Sequence, residues 1–347
     1  MSVLNSGPVA SGPLADRGIQ DGPHPFPTGW FTVAFADEIA PGAVLARTFM
    51  GREIVLFRTV SGKLHATEAY CPHLGAHLGR GGRVYGETIE CPFHTFRFDG
   101  QGTCVFTPYK AASPPPAARL GILPVCEVFG IALVYNGAPG KPPWEIDVPS
   151  DDGCWRPLHK RKLELSHSHP QEIAENGVDY GHFTELHGFS TFEVVSPLRF
   201  DGPRLRSVCR TTRPTPVVGP IGVEIDIRVD GLGFSVVEST LDIGWKFRQL
   251  VLVTPTVGRH QAVHIATSVH RRSTSRIVSR FLSPFEWILG RFILELVTIE
   301  FHRDRVVWEN KKYMAKPALA QGDGPIHKFR RWANQFYPEL EDVNAGK

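Results

Sequence analysis

Two short stretches of this sequence carry sulfur and imidazole donors at matched spacing. Cys71-Pro-His73-Leu-Gly75 is followed by Cys91-Pro-Phe-His94, with seventeen residues between His73 and Cys91. Each stretch offers one thiolate and one imidazole. Two Cys on one iron and two His on the other hold a [2Fe–2S] cluster whose neutral imidazoles leave less negative charge on the metal and raise its potential. A structural zinc site would accept the same four donors. Zinc fingers, however, usually group Cys with Cys and His with His, whereas here each loop holds one of each. Gly75, Gly79, Gly81 and Gly82 would let the first loop wrap closely around a cluster.

A second donor set lies about ninety residues on, in Glu175-Asn-Gly-Val-Asp179-Tyr-Gly-His182-Phe-Thr-Glu-Leu-His187-Gly188. If this segment is helical, Asp179 and His182 share a face. His187 falls just before Gly188, a helix-end signal, so the two imidazoles can meet one metal with the helix ending between them. Two His and one carboxylate form the facial triad of non-haem Fe(II) oxygenases, which leaves coordination positions open. The carboxylate must come from elsewhere. Asp304 is the first candidate, with Glu300, one turn earlier, and Glu309 as rivals. Other candidates receive plainer readings. His167 and His169 read as a polar strand edge and His77 as loop structure. Cys104, Cys126, Cys154 and Cys209 read as core or surface thiols, and Tyr180, Phe183 and Phe189 as packing.

The elements that must hold these donors can be sketched. The 347 residues suggest two or three domains, and 42% hydrophobic with 21% charged residues is ordinary globular usage. A net charge of +3 is too mild to argue for nucleic acid. Six cysteines are too few for a disulfide scaffold, and the expected compartment is the reducing cytoplasm. Residues 1–27 read as a flexible leader, with no apolar stretch of signal-peptide type. Residues 28–140 hold short apolar runs, such as Ile54-Val-Leu-Phe57, broken by turn signals at Ser61-Gly62, Gly81-Gly82 and Asp99-Gly100, which predicts a small all-β domain. Residues 141–154 read as a linker. Residues 155–340 combine a helix starting near Pro170, alternating strands such as Val223, Ile225, Ile227 and Val229, and a long helix from about Ser283 to Lys312. The second domain is therefore α+β. The stretch Phe281–Phe301 reads as a core-facing amphipathic helix rather than a membrane span, since charges interrupt it, although peripheral membrane contact stays open.

Together the two donor sets resemble the oxygenase component of the Rieske non-haem iron oxygenases, over nearly the whole chain after residue 27. The stretches Tyr70–Ala76, Ile89–His94, Gly322–Ile326 and Phe329–Trp332 are similar to the branch of 3-ketosteroid 9α-hydroxylases and cholesterol 7-desaturases. The resemblance implies a Rieske sandwich followed by a helix-grip catalytic domain. It implies a cluster on Cys71, His73, Cys91 and His94, and a mononuclear Fe(2+) on His182, His187 and Asp304. It implies a homotrimer in which the cluster of one subunit faces the iron of the next. Asp179 would bridge them, hydrogen-bonding a cluster His of the neighbour and His182 of its own site, while Asn176 lines the iron.

No GxGxxG fingerprint precedes a strand–helix unit, so electrons are expected from a separate NAD(P)H-dependent reductase or ferredoxin. The expected reaction uses O2 to hydroxylate or desaturate a hydrophobic substrate, a steroid or sterol by resemblance. A non-steroid compound of secondary metabolism is the alternative. A Rieske electron carrier needs far less chain, and a lipid-binding helix-grip module would lack the triad.

Overall fold

The computed structural model describes residues 26–109, 113–137, 142–214, 219–272 and 276–337. Most of the expected leader lies outside these residues. The first part of the chain is built on strands, as expected, with a single 3-10 turn at Ala36–Glu38 among its described residues. Gly29–Phe35 pairs with Ile131–Asn136, which pairs in turn with Val125–Val128. A second sheet runs Val44–Phe49, Arg52–Arg58, Leu64–Glu68, Ile122–Leu123. The run Ile54–Phe57 is wholly buried, which is why it shows no polar alternation. A third, small sheet of Arg83–Tyr85, Thr88–Glu90, Arg97–Phe98 and Cys104–Phe106 carries the Cys91 loop.

The second part is built on a seven-stranded antiparallel sheet. Its order is His159–Leu165, Gln261–Val269, Lys246–Pro255, Phe234–Leu241, Ile221–Asp230, Arg204–Arg213, Thr191–Asp201. The alternation in Ile221–Asp230 behaves as predicted. Ile225, Ile227 and Val229 are buried, while Asp226 on the opposite face accepts from Nε and Nη2 of Arg206 at 2.9 and 2.8 Å. The class is α+β with a helix gripped by the sheet.

Among the described residues, four α-helices complete it. α1 (Pro170–Glu175) starts on Pro170 as anticipated. α2 spans Tyr180–Glu185, α3 Arg276–Trp308 and α4 Ile326–Ala333. α3 begins earlier and stops sooner than the expected Ser283–Lys312. Its inner face packs Leu294, Phe301 and Trp308 against Leu165, Val263 and Ile265. Gly290 permits that approach, since a Cβ there would stand 2.5 Å from the His159 ring. The expectation of a merely core-facing amphipathic helix fails on the outer face, where Phe281, Phe285, Ile288 and Phe292 are exposed.

The two parts share a core. Trp30, Phe35, Leu133 and Tyr135 pack with Phe234, Val236, Leu250 and Ala266. The segment read as a linker is irregular but anchored, for the part of it that is described. Trp144 lies across Tyr135 and Phe336, its indole N–H donates to Asp230, and its carbonyl accepts from Trp30 Nε1 at 2.8 Å. His167 and His169 are not a strand edge. The strand before them ends at Leu165, and His169 is the N-cap of α1, its ring accepting from the Gln171 N–H.

Candidate metal centres

The two Cys/His loops fold alike. In each, the cysteine carbonyl accepts from the amide four residues on, Gly75 at 2.9 Å and Thr95 at 3.2 Å. In each, the cysteine amide donates to the carbonyl five residues on, Ala76 at 2.9 Å and Phe96 at 2.8 Å. The fourth residue takes a positive φ in both, 75° at Gly75 and 53° at Thr95, a conformation glycine adopts freely and threonine only under constraint. Both cysteines are buried among Leu78, Ile89, Phe96 and Phe98. Both imidazoles lie at the rim, their rings 4.7 Å apart, with His73 stacked on Phe96 at 4.4 Å. Leu74 and Phe93 beside them are exposed.

This donor set fits a cluster. His94 Nδ1 is buried and has no hydrogen-bond partner, so it is presented to a ligand rather than to the protein. Burial, with the adjacent Cys91, pushes the Cys71 thiol up to about 12, and a metal is what turns a thiol so placed into a thiolate. His77 serves the loop, its Nδ1 accepting from the Gly79 N–H at 3.0 Å.

The second site gathers the expected triad. Donor atoms of His182, His187 and Asp304 all lie within 4.8 Å of one another. The segment is not one helix. α1 ends at Glu175, a single 3-10 turn covers Asn176–Val178, and Asp179 is extended and caps α2. His182 therefore lies in the first turn of α2 and His187 beyond its end, before Gly188 at φ 71°. The rings meet at 76° with centroids 4.9 Å apart.

Each ring is oriented by a bond to its far nitrogen. His182 Nδ1 donates to the Asp179 carbonyl, and His187 Nδ1 donates to Glu300 Oε2 at 2.8 Å. Both Nε2 atoms are thus available to the shared point, and His187 Nε2 stands 3.5 Å from Asp304 Oδ1. Asn176 Nδ2 donates to that same Asp304 oxygen at 3.1 Å, and Asn176 Oδ1 accepts from Trp308 Nε1 at 3.4 Å.

The electrostatics favour a cation here. Burial opposes the charged form of His187, but its bonds to Asp304 and Glu300 prevail and hold it at about 9. Burial likewise opposes the Glu300 charge, yet His187 and Arg213 draw it down to about 2. Burial lowers His182.

The rivals of Asp304 are occupied elsewhere. Glu300 is the partner of His187, and it also takes Arg213 at 2.6 Å and Arg303 at 3.0 Å. Glu309 accepts from the Ser166 amide and hydroxyl at 2.9 and 2.8 Å. The expected contact of the Asp179 carboxylate with the His182 ring is not made. Its main-chain carbonyl takes that role, and the carboxylate caps α2 by accepting from the His182 N–H at 3.3 Å. The sequence reading missed Glu300 as an orienting residue. Among the described residues a further three-donor group, Asp152, Cys154 and His270, lies at the surface, with His270 and Asp152 already paired at 2.8 Å.

A clamp holds the ligand segment from below. Arg330 of α4 forms a bidentate ion pair with Glu175 at 2.6 and 2.8 Å. Tyr180 N–H donates to the Asp323 carbonyl at 3.3 Å. Gly324, at φ 84°, lies so close that a Cβ there would stand 2.2 Å from the Val178 oxygen. An aromatic wall of Phe183, Phe192 and Tyr180 flanks the histidines, with Phe183 and His182 ring centroids 4.3 Å apart. No hydrogen bond, ion pair or ring contact among the described residues joins this site to the Cys/His loops of the same chain.

Comparison with known proteins bears on both sites. Residues 29–125 match the Rieske [2Fe-2S] domain, and residues 134–337 match the 3-ketosteroid 9alpha-hydroxylase C-terminal domain. The cholesterol 7-desaturase of Xenopus laevis is 32% identical over 335 residues, covering 91% of this chain and 72% of the relative. The oxygenase component of a Rhodococcus rhodochrous 3-ketosteroid-9-alpha-monooxygenase is 29% identical over 346 residues, covering 94% and 88%. Among solved structures, dicamba monooxygenase bound to dicamba superposes with a TM-score of 0.69 at 17% identity, covering 92% of this chain and 98% of that one. That likeness concerns the fold.

Proposed function

Because this chain belongs to the Rieske non-haem iron oxygenases, sharing both domains of the 3-ketosteroid 9α-hydroxylase and cholesterol 7-desaturase branch, we propose that it oxidises a steroid or sterol. The family carries a [2Fe–2S] cluster and a mononuclear iron, and an oxygenase component implies a separate reductase. We assign the cluster to Cys71, His73, Cys91 and His94, and the iron to His182, His187 and Asp304. The observation that carries the reading is the convergence of these three side chains on one point, with both outer imidazole nitrogens already engaged.

Bound there, the cluster supplies single electrons and the iron supplies the redox chemistry that activates O2. The chain's own residues do the rest. Glu300 and the Asp179 carbonyl fix the two rings, and Asn176 with Trp308 fixes Asp304. Phe183 and Phe192 stack on each other beside His182 and against the core, closing that side of the site with apolar surface. Hydroxylation consumes one O2, two electrons and two protons, inserting one oxygen into a C–H bond and releasing one water. Desaturation consumes the same co-reactants, removes two hydrogens and releases two waters.

The electron path we infer runs between subunits of a homotrimer. The half-buried His73 and His94, with the exposed Leu74 and Phe93, dock near Asp179 of the next copy, since among the described residues no hydrogen bond, ion pair or ring contact joins the two sites within one chain. We take 28–140 and 155–340 as the two domains, joined by 141–154. Among the described residues no helix is long and apolar enough to cross a membrane.

The test is metal analysis followed by turnover. About three irons and two sulfides per chain, with a Rieske EPR signal on reduction, are expected. Supplied with reductase, NAD(P)H and O2, the protein should convert a sterol or 3-ketosteroid to a product one oxygen heavier or two hydrogens lighter. Zinc in a colourless protein would overturn the metal assignment. Full metal content with turnover confined to non-steroid compounds would overturn the substrate class.

A further inference from the structure

The outward side of α3 is an apolar ridge that the chemistry does not use. Phe281, Phe285, Ile288 and Phe292 are 81, 53, 60 and 56% exposed, and their spacings of four, three and four set them along one line of the helix. The ridge continues onto the turn before Lys246–Pro255. Trp245 lies 5.7 Å from Phe285, and Ile243 is exposed beside it. Exposed apolar side chains so aligned mark a surface that something covers.

The charges around the ridge are positive. Arg280 and Arg291 are exposed on α3, and Arg272 lies over Trp245 at 5.2 Å. The nearby acids are neutralised. Glu286 is buried against Arg156 at 2.6 Å, Glu295 takes Arg161 and Arg291, and Asp242 takes Arg210.

We propose that this ridge docks on a bilayer surface containing anionic lipids. Phenylalanine and tryptophan on one helix face with arginine around them is the composition of a helix lying in the interface, its apolar side about 5–10 Å into the headgroup and acyl boundary. Aromatic and arginine side chains serve seams between proteins too, so position on the molecule separates the two. The contact between copies that the electron path calls for lies elsewhere, around Asp179 and Asp304. Asp304 is about 35 Å along α3 from Phe281. The docking is independent of which substrate is oxidised.

The test is co-sedimentation of the holoprotein with phosphatidylcholine vesicles, with and without phosphatidylserine. The protein should pellet with the anionic vesicles, and less so as salt rises. The pair Phe281→Ser and Phe285→Ser should weaken binding about tenfold or more, while Phe281→Trp with Phe285→Trp retains it. Cluster spectrum, assembly mass and turnover of detergent-dispersed substrate should not change. Arg280→Glu with Arg291→Glu should abolish the preference for anionic vesicles. No pelleting of the unmodified protein, binding indifferent to the serine pair, or a preference that survives charge reversal would each overturn the proposal. A fall in assembly mass in the serine variant would also overturn it, assigning the ridge to a contact between copies.

Discussion

The residues to which we assign the metals could be picked out in the sequence because metal chemistry restricts which side chains can recur at short spacing. Cys-x-His with Cys-x-x-His, and His182 with His187, each lie within a few residues. Their orienting partners were not legible, because one is a backbone carbonyl and the other, Glu300, is brought to His187 only by folding. Glu300→Gln should leave the cluster spectrum intact and weaken iron retention about 10–100-fold, read as the rate of iron loss to a chelator. Iron retained as tightly as before would show that His187 needs no such partner. Asp179→Asn tests the proposed bridge without a folding penalty, because asparagine caps a helix as well as aspartate does. Unchanged melting, but cluster reoxidation by O2 and substrate slowed tenfold or more in stopped flow, is the expected result. A reoxidation rate equal to that of the unmodified protein would remove Asp179 from the path.

At the scale of elements, the long helix was evident from its inner apolar spacing, yet nothing in that spacing revealed that its outer face is apolar too. Periodicity reports which residues alternate, not what lies against them. The interruption at Asn176–Asp179 was hidden for a related reason. The sequence reading starts a helix near Pro170 and lets the 175–188 segment be helical until between His182 and His187, whereas a 3-10 turn at Asn176–Val178 and an extended Asp179 break it first, where the Tyr180 N–H meets the Asp323 carbonyl. The function of Phe329–Trp332 follows from the clamp of α4 on this segment. Phe329 and Trp332 anchor α4 in the core, and Arg330 reaches out to Glu175. Glu175 is almost fully buried, so Arg330→Ala leaves a buried charge unpaired and should cost about 3–5 kcal/mol in denaturant unfolding. The double change Arg330→Met with Glu175→Gln should recover most of that loss. If Arg330→Ala unfolds at the same urea concentration as the unmodified protein, the clamp contributes nothing.

For the whole molecule, two domains and their order were plain from composition, but the extent of their union was not. Trp144, in a stretch rich in proline and glycine, gave no sign that it would anchor both parts. His264 lies at the same junction, its ring 5.1 Å from Phe35 and facing Lys162, Glu38 and Arg47. Burial lowers it from 6.5 to about 4, with Lys162 and Arg47 adding to the effect and Glu38 opposing it. The unfolded chain then binds the proton more readily than the folded one. The share of stability that rests on a neutral His264 is complete above pH 6.5 and should be lost as pH falls toward 4, by roughly 3 kcal/mol in all. His264→Leu should flatten that part of the urea-midpoint profile, and an unaltered slope would clear His264 of the effect. The Trp144 anchor bears also on how such a molecule is made. Its indole packs on Phe336, whose carbonyl accepts from the Thr28 N–H. During translation the strand Gly29–Phe35 leaves the ribosome long before Phe336 exists. The first domain must therefore wait, its seam open, until α4 and the turn that follows it have been made, and a chain cut short upstream of α4 keeps the first domain's own strands but never closes.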